Sequence, residues 1–145
     1  MKTTIWQEIT TFFETRILNA GPNATPENIA LENRPFDPAG KTLWFEARVV
    51  ETSSEPFTEK TVRRSGVAVY TVAVAPGAGT ARLERNVSFI RALFSPQIAR
   101  LGVFGDKRLR VVVRNVETTP AFLIDGFYKK NVRVHFDAFA DAREV

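Results

Sequence analysis

Three kinds of residue in this chain could do chemistry, and their spacing decides what each can do. His135 is the single histidine. Imidazole titrates near neutrality and suits proton transfer, but His135 stands between Val134 and Phe136 in an alternating run that aims it away from the apolar face. It has no local serine or cysteine nucleophile and no acid at a motif spacing, so it reads as a surface or interface histidine. The absence of cysteine excludes disulfides, thiolate metal sites and cysteine nucleophiles. One histidine then leaves only carboxylates as further metal ligands, and no Asp-x-Asp or His-x-x-x-His arrangement is present.

The second candidate is Pro76-Gly77-Ala78-Gly79-Thr80-Ala81-Arg82, a glycine-bearing turn between an expected strand and an expected helix. A helix N-terminus attracts anions. The Gly-Lys-Thr/Ser ending of a phosphate loop is missing, however, as is the third glycine of a dinucleotide fingerprint. A tight turn with Thr80 capping the helix explains the run better. The carboxylates Asp37, Glu46, Glu51 and Asp125 could serve as an acid and base pair only at a defined separation, and they read as solvated charges. Phe57, Phe127 and Tyr128 lie near basic residues and could stack on single-stranded nucleic acid. No RNP-type aromatic motif or concentrated basic face accompanies them, so the aromatics read as core and interface anchors. No catalytic, cofactor-binding or metal-binding residue is assigned, and the expectation is a protein that is not an enzyme.

Composition agrees with a packed domain. A chain of 145 residues is one domain by size and buries about 70% of its unfolded surface. Hydrophobic residues make up 44% and charged residues 25%, close to ordinary globular values, so neither disorder nor a membrane protein is indicated. The longest apolar run, residues 67–75 broken by Thr71, is too short to span a bilayer as a helix. Residues 1–8 carry polar groups and Glu8 where a secretory signal needs an apolar stretch, so no export signal is expected. The net charge of +4 arises from 20 basic and 16 acidic residues spread along the chain, a mild bias rather than a nucleic-acid footprint.

The elements that position these residues follow from periodicity. Ile5, Ile9, Phe12, Phe13 and Ile17 share one face of a helix over residues 4–20, capped by Thr3 or Thr4 and stopped by Gly21-Pro22. Residues 28–33 read as a short edge strand ended by Pro35. Residues 42–51 alternate, with Leu43, Phe45, Ala47 and Val49 on one face and Trp44, Glu46, Arg48 and Val50 on the other. Residues 52–65 hold only Phe57 and Val62 as apolar anchors and are expected to form an exposed loop. Residues 67–75 are apolar on both faces, as in a central strand. Leu83, Val87, Ile90 and Phe94 define a second helix face, after which Pro96 and Gly102 bound a loop. Strands at 108–118, with Leu109, Val111 and Val113 inward, and at 126–138, with Val132, Val134 and Phe136 inward, complete the chain. The expected fold is α+β: a mixed, mostly antiparallel sheet of about four to six strands with two amphipathic helices packed on one face, in a single domain covering residues 1–145.

Taken in order, the N-terminal helix, Glu32-Asn33-Arg34-Pro35-Phe36, the strand through Trp44, the run from Gly66-Val67 to Ala75, Pro76-Gly77-Ala78-Gly79 and Asp125-Gly126-Phe127-Tyr128-Lys129-Lys130-Asn131-Val132 resemble the tail-terminator and tail-completion family of lambda-like long-tailed bacteriophages. The resemblance implies a prophage-encoded structural virion subunit. Such a subunit forms a ring, commonly a hexamer, that caps the tail tube, ends tail polymerisation and offers the head-joining surface. It implies as partners other copies of the chain, the major tail tube protein and a head-tail connector protein, with DNA only as transiting cargo and no membrane. Its place would be the virion tail, assembled in the bacterial host cytoplasm.

A ring closed by rotation needs one patch that matches another on its neighbour. Strand edges, the 52–65 segment and residues 127–131 are the candidates. Phe57, Lys60, Arg63, Arg64, Phe127, Tyr128, Lys129 and Lys130 are therefore the expected subunit or tube contacts. The competing readings are a small nucleic-acid-binding module, recognisable by salt-sensitive binding, and a small hydrolase dependent on His135.

Overall fold

The computed structural model describes residues 5–19, 24–32, 35–58, 61–77, 79–94, 103–104 and 107–141. Helix α1 (Ile5–Leu18) comes first, then a 3-10 turn at Pro26–Asn28 leads into β1 (Ile29–Leu31). Strands β2 (Leu43–Pro56) and β3 (Thr61–Val74) follow, then helix α2 (Thr80–Ala92). Strands β4 (Val103–Phe104), β5 (Lys107–Thr118), β6 (Phe122–Ile124) and β7 (Phe127–Asp141) close the chain. The sheet runs β1-β2-β3-β7-β5-β4, with β6 laid on the start of β7. Among the described residues only the β1–β2 pair is parallel; the other pairs are antiparallel. The α+β class, the mixed sheet and the two helices are as the sequence predicts.

Both helices pack on one face because their apolar positions repeat with the helical period. On α1, Ile9, Phe12, Phe13 and Ile17 are buried, and on α2 so are Leu83, Val87 and Ile90, with Phe94 just beyond its end. They meet Phe45, Ala47, Ala68, Tyr70, Val132, Val134 and Phe136 of the sheet in one cluster. Each such large side chain, fully buried, contributes roughly 1.5–3 kcal/mol of transfer free energy. Phe13 is the hub, with its ring centroid 4.6 Å from Phe136 and 5.8 Å from Phe94. Tyr70 stacks on Phe94 at 5.0 Å and donates its hydroxyl to the Phe13 carbonyl at 2.6 Å. Burial pushes the Tyr70 phenol pKa well above its ordinary value, so this donor stays protonated.

The ends of the helices are tied together as well. Arg16 in the last turn of α1 donates to the carbonyl of Leu93 and lies 5.8 Å from the Phe94 ring. A guanidinium at the C-terminal end of α2 meets carbonyls that have no helical partner. At the other end of α2 the cap differs from expectation. Gly79 is the N-cap and Thr80 is already the first helical residue, without a side-chain capping bond. The helix starts one residue earlier than a Thr80 cap requires, because Gly79 at φ 89° turns the chain directly into it. The expected caps Thr3 and Thr4, the stop at Gly21-Pro22, the corner residues Asn33 and Arg34, the turn residue Ala78 and the loop bounds Pro96 and Gly102 lie outside the described residues.

One expectation is overturned. Residues 52–65 do not form a loop: β2 continues to Pro56 and β3 begins at Thr61, paired from Ser53↔Ser65 to Pro56↔Val62 after a bulge between Glu51 and Ser53. Residues 51–58 are all exposed, so both faces of β2 are wet there. Polar residues satisfy such a strand, and the apolar alternation that betrays a half-buried strand is absent. Two cross-strand ion pairs, Glu55–Arg63 and Glu51–Arg64, hold the ribbon.

Among the described residues neither helix packs on the other face of the sheet. Small residues pass through its centre: Val69, Thr71 and Ala73 are at most 8% exposed because larger residues on β2 and β7 flank them. In the row Trp44–Ala73–Lys129, the Lys129 ammonium lies 4.8 Å from the Trp44 ring.

Candidate assembly surface

The residues singled out from sequence fall at two opposite ends of the sheet. β3 alone has 14 residues, which at about 3.3 Å per residue sets those ends roughly 40 Å apart. At the far end, Phe57 leaves the β2 strand and packs its ring edgewise on Phe139 of β7 at 5.0 Å while remaining 57% exposed. Phe57, Thr61, Arg110, Val112 and Phe139 line a shallow depression of about 410 Å³ beside it. Arg63 is paired with Glu55. Arg64 reaches the helix face instead, bonding Glu51 at 3.0 Å and lying 5.5 Å from the Trp6 ring of α1. Lys60 lies outside the described residues.

At the near end, β6 and β7 form a hairpin whose two-residue turn is Asp125-Gly126, both at positive φ (53° and 80°). That is the type I′ geometry whose twist matches the flanking strands, and Asp-Gly is among its preferred pairs. β6 continues the line of β5 along β7 after an interruption at Pro120. Its three residues are exposed: Phe122 by 38%, Leu123 by 59% and Ile124 by 46%, with Tyr128 at 44% opposite Leu123. Phe122, Leu123 and Tyr128 border a groove of about 450 Å³ that also touches Val74, Thr80 and Leu83. Leu123 and Tyr128, paired across the hairpin, share one face, and Phe122 and Ile124, paired with Lys129 and Phe127, share the other; exposed apolar side chains gathered on both faces of so short a hairpin mark an interaction surface.

The other near-end residues support this hairpin. Phe127 meets Trp44 edge to face at 5.6 Å and Phe36 packs tilted against Trp44 at 5.2 Å. Lys130 bonds Glu84 of α2 at 2.7 Å. Of the eight expected contacts, Phe57 and Tyr128 offer the most apolar surface, while Arg64 and Lys130 are engaged within the chain. Sequence reading missed Phe122, Leu123 and Ile124, which sit in a three-residue strand too short to show periodicity. The available signal was three consecutive apolar residues directly before an Asp-Gly turn.

The candidate chemistry is dispersed. His135 lies on the face away from the helices, as expected, with Nε2 2.7 Å from Glu117 Oε1 across the β5–β7 pair. That hydrogen bond lowers the Glu117 pKa below its ordinary value. Ser65 donates to Asp137, which also pairs with Arg114 at 3.1 Å. Asp37 accepts from the Ala39 amide at 2.9 Å in a turn, Glu51 pairs with Arg64 and Asp125 forms the hairpin turn, so each of these three has a local structural role. Among the described residues no group of three metal-ligating side chains converges, and no helix is long and apolar enough to cross a membrane.

No family profile matches the chain, and no curated protein matches it. Among solved structures, a chain of the virion of a native gene transfer agent particle is 14% identical, with 96% of this chain and 92% of that one covered and a TM-score of 0.47. Another solved chain is 21% identical over 94% of this chain and 96% of its own length. Its TM-score of 0.69 makes it a structure of the same fold.

Proposed function

We propose that this chain is a structural virion subunit of a long-tailed phage or prophage, forming a ring that caps the tail tube, ends its polymerisation and presents the head-joining surface. It acts by shape and not by catalysis. The observation that carries the reading is the apolar β6–β7 hairpin: Phe122, Leu123, Ile124 and Tyr128 are exposed, and Phe122, Leu123 and Tyr128 border a groove, which suits a surface completed by another protein. The order of motifs along the chain, which resembles tail terminators, supports the same reading. Its partners are further copies of the chain, the tube protein and the head-tail connector, and its place is the virion tail, assembled in the host cytoplasm. Electron microscopy of induced lysates lacking this protein tests the proposal. Overlong or headless tails are expected; normal, joined tails of regular length would overturn it.

A further inference from the structure

Among the described residues the sheet ends in two long, mostly unpaired edges. β1 pairs with β2 only from Phe45 to Ala47, and β4 pairs with β5 only at Lys107 and Arg108. Among the described residues, no strand pairs with the outer side of β2 over residues 48–56 or of β5 over residues 109–118. Backbone donors and acceptors along such edges form a template for another strand.

Three features say which strand. First, the long strands alternate in direction in the order β2, β3, β7, β5. Because that number is even, β5 of one copy placed beside β2 of the next continues the antiparallel alternation. Second, each edge is bent by one bulge, between Glu51 and Ser53 on β2 and between Val113 and Asn115 on β5. Both bulges fall beside the Gly66–Phe136 row, so the edges bend at the same level. Third, the rows across the sheet end in opposite charges. One row reads Glu55, Arg63, Phe139, Arg110, and another Arg48, Val69, Arg133, Glu117. Residues paired across strands share a face, so within each row the terminal charges lie on the same side. Glu55 and Glu117 keep 47% and 46% of their side chains exposed despite their pairs within the chain.

The geometry points to a second copy of this chain as the occupant: residues 48–56 of β2 dock antiparallel on residues 109–118 of the next copy's β5, with Glu55 level with Arg110 and Arg48 level with Glu117. This contact joins unlike patches, so it repeats from copy to copy and closes if the rotation allows. It deepens the ring reading, on which it rests, by naming the joint.

A charge-swap pair tests it. Variant one carries Arg110→Glu with Glu117→Arg, and variant two carries Glu55→Arg with Arg48→Glu; neither changes the net charge. Each is checked for native folding by hydrogen exchange at the Phe13–Tyr70–Phe136 core. Sedimentation of the wild type should show salt-sensitive self-association, with slowed amide exchange at residues 48–56 and 109–118. Each variant alone should lose at least tenfold in association constant, and an equimolar mixture should recover it, because the exchanged β2 of variant two then meets the exchanged β5 of variant one, and the native β2 of variant one meets the native β5 of variant two, with opposite charges level at both positions. Wild-type assembly that persists in both variants, or a mixture that fails to recover, overturns the edge contact while leaving the ring reading intact. A wild type that stays monomeric up to millimolar concentration also overturns the edge contact, and the tail morphology of lysates then decides the ring reading separately.

Discussion

At the scale of single residues, Gly66 shows how closely this sheet is packed. It sits opposite Phe136 on β7, and a Cβ there would come within 2.5 Å of the Val50 carbonyl oxygen and 2.8 Å of the Phe136 ring. The ring belongs to the central aromatic cluster and the carbonyl to a paired strand, so neither can yield cheaply. Gly66→Ala should therefore destabilise the protein by about 2 kcal/mol or more, measured as a lower denaturant midpoint at unchanged slope. From the sequence, Gly66 looks like punctuation before an apolar run, because the ring that covers it arrives from a strand 70 positions later. His135 shows the reverse. Its orientation away from the helices was legible from alternation alone, yet its partner Glu117 was not, since pairing across β5 and β7 depends on register and on the bulge at Val113.

At the scale of elements, that Glu117–His135 contact joins β5 to β7, and its dependence on pH has a definite sign. A carboxylate whose pKa is lower in the folded than in the unfolded state contributes stability above its unfolded pKa and loses it as pH falls through the folded one. The lowered Glu117 pKa thus predicts that wild type exceeds Glu117→Gln in melting temperature at pH 7. The gap should shrink as the pH falls from the ordinary carboxylate pKa, about 4.3, through the lowered folded value. Thermal melts of both proteins across that range measure it. The elements most legible in the sequence are those with one wet and one dry face. α1 was marked by Ile9, Phe12, Phe13 and Ile17, and β7 by Val132, Val134 and Phe136, all buried as expected. The outer half of the β2–β3 ribbon was hidden because Thr52, Ser53 and Ser54 are solvated on both faces, leaving no periodicity to detect.

At the scale of the whole molecule, the exposed large apolar residues among those described lie at the two tips of the sheet, Phe57 at one and the β6–β7 hairpin at the other, apart from Val50 midway along β2. If the hairpin serves a partner and not the fold, Leu123→Lys should leave the melting temperature within about 2 °C, as expected for an exposed position. The same variant should abolish normal tail joining in a complementation assay. A large loss of melting temperature would mean that Leu123 supports this chain's own core. Candidate residues were only partly legible because surface role depends on where strands end in space. Tyr128 and Phe57 were identified as aromatics near charge, whereas Arg64 looked equally available and is turned toward Trp6 of α1.

The tie between Arg16 and Leu93 spans 77 positions, and Phe136, which Phe13 also meets, lies farther along still. During synthesis α1 must therefore wait, its greasy side unsatisfied, until most of the sheet has left the ribosome. At about 5–20 residues per second that delay is on the order of ten seconds. A helix translated early and docked late is the segment most exposed to chaperones, and the one whose clasp reports that the rest of the chain has arrived.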